Sequence, residues 1–425
     1  MNWRARHALS LLAATAIALV LPTESRAQQS QETLEPYQML RSLQFVQDTV
    51  VMGDHSAGAM QRFMLSTIDK RLRTADMRVF EDPRNVDAAL IYAMSGGNPS
   101  TLELIVSKDT AGNFDNRVAN ALRKYLSGRG TMVAGGLASM VPEYRDQRIG
   151  PYLALVAGNV IIATDQKKAL EFYDTARLLA PGTIIEEAAL RRSIAVAVEQ
   201  GLVAKGFSYA RQYARRFSHS PYASQFADLF VTLVSAHFGE ITAEDLDGAL
   251  EVMADDRARE IYLRLARQAT IEGKTELAKL AADKAAERGK SLSTNGLSAA
   301  SLFSNVARMP AGKMQEAVKA LDQIPDNELS VEDRALRDAA RRVAAEVLKA
   351  PNLESLGQDK AETIPNQISA EQTSALPAHD AAGATEKGVQ SPAGEAKALD
   401  PDFKTYVDKS RSKLSAIDEL LKKDK

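Results

Sequence analysis

Across residues 34–348 of this chain the apolar side chains recur every three to four positions and almost nowhere every two. Side chains three and four apart share one face of a helix, whereas strict alternation marks a half-buried strand. Ala, Leu, Glu, Arg and Lys dominate the same stretch, and these residues lose least on entering a helix. The chain is therefore expected to be all-α, with Gly and Pro marking where its helices stop. Cys is absent, which excludes disulfides, thiolate catalysis, Cys-ligated zinc and a lipid-bearing N-terminal cysteine. Stability must come from packing helix on helix. About 300 ordered residues suffice for two or three domains.

Residues 1–27 have a different character. Arg4 and Arg6 precede an uncharged apolar run over residues 8–21, and Ser25-Arg26-Ala27 sets small residues at −3 and −1 of a cut between Ala27 and Gln28. This is the pattern of a cleaved secretory signal. The run falls short of the about 20 apolar residues that span a bilayer. An exported chain works where ATP and NAD are scarce, which narrows the enzymology open to it. Losing the signal removes three Arg and Glu24, so the formal charge goes from −2 to −4. Such weak acidity gives no electrostatic ground for a nucleic-acid partner. No second long apolar stretch exists; residues 151–164 come closest, and Gly158, Asn159 and their length assign them to a buried helix. No membrane span is expected in the mature chain.

The expected organisation after the 1–27 signal peptide is a 34–150 N-terminal helical domain, 151–349 helical repeats, a 350–400 linker and a 401–425 amphipathic helix. In the first part, Met39, Leu40, Leu43, Val46 and Val50 form one helical stripe, and Met60, Phe63, Met64, Ile68 and Leu72 form another. Pro83 and Pro99 each suit a first helical turn, with Gly96-Gly97 as the break between them. In the second part three stripes set small residues beside larger ones ahead of a Pro or Gly stop. They are Ala169, Phe172, Tyr173, Ala176 and Leu179; Tyr209, Ala210, Tyr213, Ala214 and Phe217; and Gly273, Leu277, Ala278, Ala281, Ala282 and Ala285. They resemble degenerate tetratricopeptide (TPR) repeats and predict an α-solenoid of stacked helix pairs. The offset from Leu179 to Phe217 is 38 residues, against about 34 in that repeat, and the repeat's Trp is missing. Ser330 to Asp333 predicts a capping box. The helix it opens is expected to turn Leu336, Ala340, Val343 and Val347 inward and Arg334, Arg337, Asp338, Arg341, Arg342 and Glu346 to solvent.

The 350–400 stretch is rich in Ala, Gly, Ser, Gln, Glu and Pro and nearly free of aromatics. It buries too little apolar surface to offset the entropy of ordering and is expected to be a disordered Pro/Ala/Gln-rich tether. Beyond it, Asp400 suits a cap, Pro401 a first turn, and Phe403, Val407, Leu414, Ile417 and Leu421 one stripe interrupted by Ser410. A stripe of this kind needs a cover, either its own solenoid or the groove of a partner. This segment is the candidate partner-binding helix.

Catalysis needs polar groups that converge. Asp54-His55-Ser56 are neighbours in sequence and cannot face one another as a triad must, so they read as a cap after a helix stop. Ser218-His219-Ser220 before Pro221 reads as a turn, and His237 as a helix-end histidine. The His residues show no metal-ligand spacing. Residues 109–116 (DTAGNFDN) imitate a calcium loop, but its twelfth position is Asn120 and its glycine, Gly112, stands fourth instead of sixth. The glycines of residues 130–136 lack the Lys of a phosphate loop. Glu354-Ser355 matches the Glu-Ser of lytic transglycosylases, yet it stands at the edge of the tether with no lysozyme-like cleft to raise its pKa. The expectation is a non-enzymatic protein without cofactor or metal, binding a protein partner on the extended face of its repeats.

Two blocks carry a family resemblance. Pro36-Tyr37-Gln38-Met39-Leu40-Arg41-Ser42-Leu43-Gln44, Gln47-Asp48 and Gly53-Asp54-His55 resemble the opening of the rhizobial MotC family of motility proteins. Asp82-Pro83-Arg84-Asn85, Ala88-Ala89-Leu90-Ile91-Tyr92 and Ser95-Gly96-Gly97-Asn98-Pro99 are similar to the same family. The resemblance implies a periplasmic protein required for flagellar rotation, acting through the periplasmic part of the stator protein MotB, with no catalytic residue to carry over. The residues by themselves leave a second reading open, a general periplasmic scaffold for envelope or secretion machinery.

Overall fold

The computed structural model describes residues 34–289, 295–309 and 312–349. The expected signal with its cut between Ala27 and Gln28, the tether, Glu354-Ser355 and the helix carrying Phe403, Val407, Leu414, Ile417 and Leu421 lie outside the described residues. Within the described residues the chain forms seventeen α-helices and no strand.

The first six are α1 (Pro36–Val51), α2 (Ala57–Thr74), α3 (Pro83–Met94), α4 (Pro99–Lys108), α5 (Asn116–Leu126) and α6 (Ala134–Glu143). Local chemistry sets their starts. The Asp82 carboxylate accepts the Arg84 N–H at 2.9 Å ahead of Pro83, and Asn98 accepts the Ser100 N–H at 3.1 Å ahead of Pro99. Each side chain satisfies a donor that the helix itself leaves open, while proline occupies a position that needs no N–H. α1 and α2 pack as a hairpin. Met39, Leu40, Leu43 and Val50 of α1 are buried as their spacing predicts. In α2 only Ile68 and Leu72 are buried; Met60 and Phe63 are 51% and 56% exposed.

The next eleven helices form a stack. They are α7 (Gly150–Ile161), α8 (Gln166–Leu179), α9 (Ile184–Glu199), α10 (Val203–Phe217), α11 (Ala223–Ala236), α12 (Ala243–Leu250), α13 (Asp255–Ile271), α14 (Thr275–Arg288), α15 (Asn295–Arg308), α16 (Met314–Asp322) and α17 (Val331–Val347). The odd-numbered members begin 34, 39, 32, 40 and 36 residues apart, and each packs against the next odd-numbered member. The unit is thus a helix pair whose inner face closes only when another pair is laid upon it, which is how an α-solenoid builds a continuous core. One buried core runs from Met39 to Ala344.

Small residues set the helix spacing. A Cβ added to Gly158 of α7 would stand 2.5 Å from the ring of Tyr173 of α8. That ring is fully buried, and its hydroxyl donates to Asn159 Oδ1 at 3.2 Å. Where the contacts are wider, aromatics fill them. Tyr213 of α10 stacks on Phe226 of α11 with centroids 4.3 Å apart, and Phe207 meets Phe230 edge-on at 5.6 Å.

Two expectations shift. Gly273, expected on the stripe of Leu277 to Ala285, instead adopts a φ of +70° in the turn between α13, which ends at Ile271, and α14, which begins at Thr275. The conformation favours glycine because it has no Cβ to clash. α17 is rotated from the expected face. Asp333, Arg337, Ala340 and Ala344 point inward, whereas Val343 and Val347 are 60% and 62% exposed. Ion pairing is the reason. Arg267 of α13 grips both oxygens of Asp333 at 2.9 Å, and Arg337 donates to the Ile324 carbonyl at 2.9 Å and to Asp326 at 2.6 Å. Residues four apart share a face, so the two pairs fix which side turns in. Ser330 does cap α17, accepting the Asp333 N–H at 3.1 Å.

Candidate partner-binding surfaces

The motifs singled out for chemistry resolve into turns. Asp109 Oδ1 accepts the N–H groups of Gly112 and Asn113, each at 3.1 Å, and Oδ2 accepts that of Phe114 at 2.8 Å. A carboxylate ringed by N–H donors is electrostatically the opposite of a cation site. The turn instead seats Phe114 against Phe80 with centroids 5.3 Å apart. Asp54 accepts from the Ser56 N–H at 3.0 Å and its hydroxyl at 2.5 Å, bonds that hold its carboxyl below the usual range. Ser220 Oγ accepts the Tyr222 N–H at 3.1 Å. His237 ends α11 with Nδ1 3.3 Å from Glu240. Among the described residues no cluster of three His, Asp or Glu is placed to hold a metal.

The structure does bring two of these motifs together. His55, Ser218, His219 and Ser220 line one cavity of about 210 Å³ with Arg257 and Glu260. His219 Nδ1 lies 3.1 Å from the hydroxyl of its own neighbour, Ser218. A working base must be oriented by a third group on its other nitrogen, and the bonds of His219 supply none. The residues mark where the α1–α2 turn crosses the α10–α11 turn. A Cβ at Gly53 would stand 2.7 Å from His219 Cβ, so the two turns touch.

The inner side of the α1–α2 hairpin is tied firmly to the stack. Asp48 of α1 accepts the Ile184 N–H at 3.0 Å, capping α9 from another element, and Gln44 donates to the Tyr152 hydroxyl at 2.8 Å. Burial pushes the Asp48 carboxyl up, against the pull of the Ile184 N–H. The first turn of α9 carries Glu186 and Glu187, both buried, where the positive end of the helix dipole favours them. Glu187 accepts from Tyr213 at 2.8 Å and Arg191 at 3.1 Å, and Glu186 from the Gly182 N–H at 2.5 Å and Arg216 at 2.6 Å. Burial and the neighbouring Glu187 push the Tyr213 hydroxyl up, so it remains the donor.

What remains open is surface for a partner. A cavity of about 680 Å³ between α1, α3 and the α7–α8 layer holds Tyr37, Arg41, Arg84, Asp87 and Arg148, with the Arg84 guanidinium 4.2 Å over the Tyr37 ring. A second, of about 450 Å³, lies between α10 and α12 and is lined by Phe207, Arg211, Arg215 and Asp245. Exposed apolar residues gather on α17 and on the outer side of the α1–α2 hairpin, where Phe45 is 73% exposed. Stripe reasoning missed Phe45. The available signal was a large aromatic off the stripe, next to its member Val46.

Comparison with known proteins gives this fold its context. The family model described as chemotaxis protein MotC matches residues 1–425. The chain is 46% identical to the chemotaxis protein MotC of Rhizobium meliloti (strain 1021), over 97% of its own length and 98% of that protein's. No solved structure matches it. The match covers the stack and the hairpin alike, and the chain belongs to the MotC family of chemotaxis and motility proteins.

Proposed function

We propose that the chain is exported to the periplasm and is required there for flagellar rotation, binding and positioning the periplasmic part of the stator protein MotB. The observation that carries this reading is the motility-family match over all 425 residues. Residues 1–27 support the compartment through their signal-like pattern. The helix pairs support binding, because stacked repeats offer an extended face. Torque and ion flow belong to membrane helices, and among the described residues no helix is long and apolar enough to cross a membrane. The role is therefore one of bias. By preferring the orientation of MotB that anchors and opens the stator, the protein shifts a population, which takes a few kcal/mol of differential binding.

A clean deletion strain tests this, scored for swimming and by electron microscopy of its flagella. The expected result is complete filaments on paralysed cells, restored by the full chain and not by one lacking residues 1–27. Loss of the filaments would move the role to assembly, and normal swimming would end the proposal. Direct binding is measured by titrating the purified chain with the MotB periplasmic domain.

A further inference from the structure

The α1–α2 hairpin is anchored on one side only. Its outer side holds a groove of about 470 Å³ between the helices, lined by Gln38, Arg41, Phe45, Val46, Met60 and Met64. Val46 and Met64 form a half-buried floor. Phe45 and Met60 are its exposed lips, and Phe63, one turn on from Met60, adds a second exposed ring. Two rings and a methionine gathered on a rigid hairpin make a surface of the kind that binds.

Charge narrows what it binds. Arg41 lines the groove. Lys70 lies two turns beyond Phe63 on the same helix face. Arg71 reaches back to the Leu34 carbonyl at 3.0 Å, at the far end of α1. The acids of the two helices turn elsewhere. Asp48 faces the start of α9, and Asp69 accepts from the hydroxyls of Tyr92 and Thr101. The groove is apolar at the turn end and cationic toward the other.

We propose that this groove receives an amphipathic helix of a protein partner, with an apolar stripe flanked by carboxylates. Gln38 to Val46 spans about 12 Å of helix, room for about two turns of such a ligand. A second copy of this chain is disfavoured, since its own hairpin brings no carboxylate to the cations, Asp48 and Asp69 being turned elsewhere. A bilayer is disfavoured by shape, since a flat surface reaches the lips and not the floor formed by Val46 and Met64. The proposal names a surface and a ligand class, and it stands whether or not MotB is the partner.

Two synthetic helical peptides with the same leucine stripe, one flanked by Glu and one by Lys, are titrated against the chain expressed from Gln28, with fluorescence anisotropy as readout. The Glu peptide is expected to bind at least about tenfold more tightly than the Lys peptide. F45D/F63D, both at exposed positions, is expected to weaken it by about tenfold or more with unchanged circular dichroism. K70E is expected to weaken it less and to flatten its salt dependence. Equal affinity for the two peptides, no binding of either, or indifference to F45D/F63D overturns the proposal. So does Phe45-dependent binding to phosphatidylglycerol vesicles without peptide binding, or Phe45-dependent self-association in sedimentation.

Discussion

At Gly158 the close approach of α7 and α8 reverses the usual sign of a glycine substitution. Gly158 lies inside α7, and in an open helix Gly→Ala gains about 0.5–1 kcal/mol from the lost freedom of the unfolded chain. Here the new Cβ would stand 2.5, 2.7 and 3.0 Å from Cε1, Cδ1 and Cζ of Tyr173. Ordinary carbon contacts are about 3.5–4.0 Å, so the ring or the helices must retreat by about 1 Å. The ring has nowhere to go, being fully buried and tethered through its hydroxyl to Asn159. Overpacking of this kind costs about 1–3 kcal/mol, and a rigid ring so close places it at the top of that range. After the propensity gain, Gly158→Ala should destabilise by about 2 kcal/mol. Gly136→Ala in α6, where a Cβ meets nothing within 4 Å, should be neutral or stabilising by up to about 1 kcal/mol. Urea unfolding followed by far-ultraviolet circular dichroism separates the two. Adding Tyr173→Leu should shrink the Gly158→Ala penalty, a coupling that only direct contact produces. A Gly158→Ala variant as stable as the parent would show that α7 and α8 are not spaced by this glycine.

Two further outcomes follow from the charged groups. Arg337→Ala should cost about 2–4 kcal/mol, because it strands the Ile324 carbonyl and opens a void, while Arg337→Met keeps the stem and should cost less; urea midpoints of the two variants give the order. Glu272 is bonded by Lys274 at 2.6 Å, by the Ser235 hydroxyl and by Gln268 at 2.5 Å, which hold its carboxyl down at about 2. A folded-state value below the unfolded one contributes stability that is present above pH 4.5 and lost as the pH falls toward about 2. Glu272→Gln should therefore lose stability near neutrality and show a shallower decline through that window, by a modest amount because the pair is partly solvated; equal acid limbs for variant and parent would refute the assignment.

The stack was legible where a helix is covered on both flanks. Tyr209, Ala210, Tyr213, Ala214 and Phe217 are all buried, because α10 has neighbours on each side and its apolar spacing leaves one arrangement that buries them. The same reasoning fails where the spacing drifts. Met60, Phe63, Ile68 and Leu72 are grouped as one stripe, yet Phe63 stands about two and a half turns from Leu72, on the opposite face, and only Ile68 and Leu72 are buried. Steps of three and four added without keeping the running angle place on one stripe residues that the helix turns apart. The motifs rejected for chemistry could be read as turns because their bonds are local, as Asp109 and Asp54 show. The crossing of His55 and His219 was not readable, because it joins turns more than a hundred residues apart.

α17 shows the competing term most clearly. Hydropathy ranks Leu336, Val343 and Val347 as the side to bury, and a face of arginines as the side to wet. Of the expected side the helix buries Ala340 and half-buries Leu336, and it turns in Ala344, small enough to let it approach α15 and α16, with Asp333 and Arg337 beside them. Burying a charge costs several kcal/mol unless it is fully bonded. Here Asp333 receives two bonds from Arg267, and Arg337 gives bonds to Ile324 and to Asp326. Ile324 and Asp326 lie in the turn just before α17, but Arg267 comes from α13, 66 residues before Asp333, so no window of sequence around α17 contains the whole reason for its rotation. Turning the helix to bury the valines would strand Asp333 and Arg337 with their partners. Burying the two valines would gain about 1.5 kcal/mol or more each, but it would separate Asp333 from Arg267 and take Arg337 away from the Ile324 carbonyl and Asp326.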